Sequence, residues 1–98
     1  MSGRNLIDEA ASLPDAWRSR LIGKAGGANL KVLRMEDSAY PSEVHPFDEA
    51  LLVLEGQMNL AIGAEVVAVG PGELYIVPAN TPHAVALGSY GTLVIVDQ

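Results

Sequence analysis

From Ala16 onward the chain alternates short apolar runs with turns built on glycine, proline or asparagine, and no stretch of helical period separates them. Runs of this kind, recurring at roughly eight to twelve residues, fit an all-β sandwich or barrel; a parallel α/β sheet would need helices between its strands. The glycines of AGGA (25–28) predict a hairpin between the runs 16–24 and 29–36, because they supply the positive φ that such a loop demands. In the second run Leu30, Val32 and Arg34 share one face while Lys31, Leu33 and Met35 share the other. ALLVLE (50–55), bounded by Gly56, is apolar on both faces and reads as a strand covered twice. MNLAI and VVAV form a second hairpin around Gly63, and Gly70-Pro71-Gly72 is the strongest turn signal. LYIVP, HAVAL and the closing run TLVIVD complete the set.

The length of 98 residues bounds this to one domain, 1–98. Residues 1–15 are an N-terminal extension, with at most a turn or two of helix between Asn5 and Ser12 before Pro14 stops it. A net charge of −6 argues against nucleic acid and against an anionic membrane, since either partner requires a basic patch. All six basic residues, Arg4, Arg18, Arg20, Lys24, Lys31 and Arg34, precede Met35, and are read as the charged outer strands of the fold. No basic leader with a long apolar segment is present and no apolar run nears the ~20 residues of a membrane span, so a cytoplasmic location is expected. With no cysteine, any metal must be held by nitrogen and oxygen.

The chain's two histidines each sit in a dense block, Glu43 to Glu49 and Gly72 to His83. Glu43 and His45, two apart, would project together from a strand. Pro46 breaks strict alternation beyond them, but three intervening residues allow the chain to reverse and bring Glu49 beside His45. His83 arrives just past the Asn80-Thr81-Pro82 turn. Two imidazoles and one or two carboxylates are a donor set for Fe, Mn, Zn, Ni or Cu as divalent ions. Taken singly, each residue is explained as well by a satisfied histidine or a solvated carboxylate. The joint reading gains weight from Glu49, which opens a wholly apolar strand where a carboxylate needs a partner. Glu55 and Glu73, beside turn glycines, are read as merely solvated.

These blocks resemble the paired motifs of the cupin superfamily, G-x5-H-x-H-x3 or 4-E-x6-G and G-x5-P-x-G-x2-H-x3-N. His45, Glu49 and Gly56 match the first, and Gly72, Pro78 and His83 the second, within residues 40–87. Asp37 and Asn80 stand where glycine is usual, and asparagine tolerates the left-handed turn. Leu87 replaces the final asparagine, and Glu43 replaces the first histidine of H-x-H, exchanging an imidazole for an anionic oxygen. The resemblance implies a small antiparallel double-stranded β-helix (jelly-roll) barrel. It also implies metal ligands His45, Glu49 and His83, with Glu43 as a fourth ligand or a catalytic proton-transfer group.

The walls of the implied pocket include Phe47, Tyr40, Tyr75 and Met58, of which Met58 and Tyr75 are read as core packing. The leading enzymatic expectation is a metal-dependent oxygenase acting on a small molecule. Its alternatives are an isomerase-like chain, a non-catalytic module binding a sugar or other small molecule with a degenerate metal site, and an inert barrel serving assembly. A homodimer is expected from the resemblance and from strands apolar on both faces.

Overall fold

The structure is a computed structural model that describes residues 3–38 and 40–98, so the first two residues of the extension lie outside it. Among the described residues one short helix precedes eight strands: α1 (Leu6–Ala11), β1 (Arg20–Ala25), β2 (Ala28–Met35), β3 (Tyr40–Glu43), β4 (Glu49–Ile62), β5 (Glu65–Val69), β6 (Leu74–Val77), β7 (His83–Val85) and β8 (Tyr90–Asp97). The protein is curled, antiparallel and mostly β, as the rhythm of turns predicts, with the jelly-roll form that the motif resemblance implies. Among the described residues no helix is long and apolar enough to cross a membrane.

Strand β4 organises the molecule. Its first half, from Glu49, pairs with β6 on one side and with β8 on the other, and β8 leads on through β2 to β1. Its second half, from Met58 to Ile62, lies between β5 and β7, and β7 carries β3. The strand was expected to end at Gly56, yet it runs on. A register shift between Val53 and Glu55 and a φ of +84° at Gly56 let it bend without losing its partners. The bend also requires glycine for space. A Cβ on Gly56 would overlap the Tyr90 carbonyl and one on Gly91 would overlap the Glu55 carbonyl, so the two strands cross there in backbone contact.

Alternation places two apolar layers. Leu33, Met35, Leu51, Val53, Met58, Leu60 and Leu93 point inward and are buried together. Ala10, Val32 and Val94 form an outer cluster joined by Leu6, Ile22, Leu52 and Leu54, so the double-sided strand is covered twice, once by the barrel and once in part by α1. The helix starts at Asn5, whose side chain accepts from the Asp8 amide, and Arg34 fastens its far end by donating to the Ala10 and Leu13 carbonyls. Glu73, read from sequence as merely solvated, accepts from the Gly70 amide at 2.6 Å and so pins the Gly70-Pro71-Gly72 turn.

Candidate functional site

Glu49 opens β4 and faces inward, in phase with Leu51 and Val53. His83 opens β7 and pairs with Ile62 at the other end of β4. A straight strand of that length would separate its ends by ~45 Å. Even so, Glu49 Oε1 lies 3.1 Å from His83 Nε2, because β4 curls through its glycine bend.

Glu43 and His45 come from the edge opposite. β3 ends at Glu43, so strand alternation does not carry His45, which stands in the loop 44–48. Loop contacts place it instead. The Asn80 amide donates to the His45 carbonyl at 2.6 Å, and the Ala79 amide donates to Asp48 Oδ1 at 2.8 Å, stitching the two histidine loops together. Asn80 has the left-handed φ of +62° expected where glycine is usual. His45 Nε2 then lies 3.2 Å from Glu43 Oε2 and 3.8 Å from Glu49 Oε2.

The four predicted ligands are thus brought together, in two unequal halves. Glu49 and His83 are buried, each 7 % exposed, whereas Glu43 and His45 are partly open to solvent. One donor atom each from Glu43, His45 and His83 lies within 4.8 Å of the others, a group that leaves out Glu49, which meets the two imidazoles. Ligands about 2.1 Å from a shared ion stand roughly 3–4 Å apart, so small side-chain adjustments suffice for a common ion. The donor chemistry points the same way. His83 Nδ1 is 3.0 Å from the Thr81 carbonyl, which only accepts, so Nδ1 carries a proton and Nε2, in the neutral ring, turns its lone pair to Glu49. Two acceptors face each other stably only with a proton or a cation between them. The set fits a divalent cation, whose charge would match the two carboxylates.

The cluster opens into a cavity of about 230 Å³. Tyr40 and the buried Met58 line it, so Met58 serves both core and wall. Phe47 is not among the lining residues but stacks on His45, ring centroids 5.0 Å apart and planes 8° from parallel. Tyr75 packs, half-buried, against the inner core and does not line the cavity. Burial first, then the Glu43 charge and a hydrogen bond to Glu43, push the Tyr40 phenol above its ordinary value of 10.0.

Some lining residues escaped the sequence reading: Trp17, whose ring meets Tyr40 at 5.7 Å, and Lys31 with Asp97. Lys31 corrects the assignment of the basic residues to the outer strands. It shares the inward face of β2 with Leu33, a phase visible in the sequence, and its charge is tolerated there because Asp97 stands 2.8 Å away. Thr81 contributes through its backbone carbonyl, for which the sequence carries no signal.

Comparison with known proteins agrees with this picture. The cupin domain family model matches residues 32–97. A cupin-2 domain protein of Shewanella frigidimarina superposes with a TM-score of 0.86 at 21 % identity, covering 96 % of this chain and 92 % of the other. A protein of Neisseria meningitidis gives 0.82 at 21 % identity over 98 % of both chains. One from Thermus thermophilus gives 0.74 at 24 % identity, covering 99 % of this chain and 97 % of the other. At these identities the likeness is one of fold. No curated protein matches the chain in sequence.

Proposed function

The chain belongs to the cupin domain family, and from that premise we propose that it binds a divalent metal ion through His45, Glu49, His83 and Glu43 and receives a small molecule in the adjoining cavity. The observation that carries this reading is the convergence of both Nε2 atoms on carboxylate oxygens, His45 on Glu43 and His83 on Glu49. The enzymatic form of the reading is a metal-dependent oxygenase, in which the ion would act as a Lewis acid toward a bound substrate. The Thr81 carbonyl keeps the His83 ring in one tautomer, and Phe47 restrains the His45 ring by stacking. Glu43, on the open side, is placed to take a proton from a ligand in the cavity or to complete the ligand set.

We place a second copy of the chain on the outer sheet face. Cross-strand pairing continues the outer cluster as Val94 to Leu52 to Leu74 and Val96 to Ala50 to Ile76. The helix covers only the β2 side of these rows, leaving Leu74 and Ile76 more than half exposed.

Elemental analysis of purified protein saturated with zinc, manganese or iron(II) and then desalted tests the metal site. About one ion per chain is expected in the wild type and far less in His83→Ala and His45→Ala. Equal metal contents in wild type and variants would refute the reading. Oxygen consumption with a panel of small substrates, measured on the loaded protein, separates an oxygenase from a binding module.

A further inference from the structure

The cavity has a second polar group in its wall, contributed by β2 and β8. Asp97 is 6 % exposed and both its oxygens are engaged, Oδ2 by Lys31 Nζ at 2.8 Å and Oδ1 by Asn29 Nδ2 at 3.1 Å. Lys31 is more open, with 29 % of its side chain exposed, and an ammonium has three donors of which Asp97 takes one. Both carboxylate oxygens thus have protein partners, while Lys31, which lines the cavity, keeps donors beyond the one given to Asp97. Lys31 is also the one cationic side chain among the lining residues. The pair adjoins the candidate metal cluster: Ala50 pairs with Val96 and Leu51 with Ile95, so one step further along the ladder Glu49 lies beside Asp97. Leu33, Leu51, Leu93 and Ile95 supply apolar surface around it, and the rings of Trp17 and Tyr40 form an aromatic flank.

We propose that Lys31 is an anion-binding residue and that the cavity takes a small organic monocarboxylate, its carboxylate on the Lys31 ammonium and its apolar body against the leucines and the Trp17 ring. The proposal rests on the reading that this cavity binds a small molecule. Charge sets the orientation, because Lys31 supplies the cationic group of the wall, while Glu43, on β3 at the far end of the strand order from β2, repels an anion there. Asp97 positions the ammonium and prevents it from turning outward.

Calorimetric titration with benzoate and with benzamide, its neutral analogue, tests the idea on zinc-loaded and on chelator-treated protein. Benzoate should bind at least tenfold more tightly than benzamide in both forms. Lys31→Arg should keep the preference. A double variant, Lys31→Met with Asp97→Asn, removes the pair together, strands no charge, and should abolish the preference. Equal affinities in the wild type, absence of benzoate binding, or a preference that survives in the double variant would overturn the proposal. Zinc content is measured on the same samples. A Lys31-dependent preference without zinc uptake would sink the metal reading and leave this one standing, and zinc uptake without the preference would do the reverse.

Discussion

Replacing Gly56 with alanine tests whether the bend in β4 depends on backbone contact or only on an unusual dihedral. Gly56 has φ +84° and its added Cβ would overlap the Tyr90 carbonyl, with Gly91 Cα 2.9 Å away. Gly27, in the β1–β2 hairpin, has nearly the same φ, +79°, and open space around it. The dihedral cost is common to both variants, about 1–2 kcal/mol for a non-glycine residue in left-handed conformation. Only Gly56→Ala must also push strands apart, which weakens the ladder where Glu55, Gly56 and Gln57 pair with Thr92, Gly91 and Tyr90. At about 1 kcal/mol per hydrogen bond this adds ~2–3 kcal/mol. The sum is a large share of the ~5–15 kcal/mol that holds a domain of this size. Thermal unfolding followed by circular dichroism should show Gly56→Ala melting at least ~8 °C below Gly27→Ala, taking ~4 °C per kcal/mol as the lower bound. Equal midpoints for the two variants would refute the close-contact argument. A midpoint for Gly91→Ala near that of Gly27→Ala would count against it equally, since Gly91 occupies the reciprocal position.

A metal ion that binds the folded state alone raises the melting temperature by mass action, so ion at about a hundred times its dissociation constant should add ~2.7 kcal/mol, or at least ~10 °C. The gain should vanish on chelation and in His83→Ala, and a gain that persists in that variant would place the ion elsewhere. The raised Tyr40 pKa favours the protonated phenol in the folded state, so its contribution to stability is complete below the ordinary value of 10.0 and is lost as pH rises through the higher folded value. In metal-free protein the phenolate absorbance missing from Tyr40→Phe should therefore appear only above pH 10, and its appearance below that would contradict the burial argument.

Most of the architecture was legible because turns and alternation are local signals. The hairpin around Gly26-Gly27, the short helix ahead of Pro14 and the common face of Lys31, Leu33 and Met35 all follow from neighbouring residues. What escaped depends on pairing between distant segments. Glycine inside β4 reads as a stop, and only the crossing with Gly91 on β8 reveals it as a bend. Lys31 and Asp97 are 66 residues apart, and neither looks like an inward residue until β2 and β8 are laid side by side. For the candidate ligands, spacing alone left ordinary explanations standing, and motif resemblance picked out the set that the fold then assembles. His45 reaches Glu43 by a loop route that alternation did not describe, because its position is fixed through backbone hydrogen bonds to the second block.

The unequal exposure of the two histidines has a kinetic meaning. His83 is fixed from behind by a backbone carbonyl and Glu49 by strand pairing, while the more exposed side chains of His45 and Glu43 meet each other and, for His45, the Phe47 ring. The side chains that would hold an ion here meet solvent on the His45 side, where Glu43 and His45 are the more exposed pair. Loosening Phe47 should then quicken release without changing which atoms bind, so that residence time and donor identity are set by different parts of the chain.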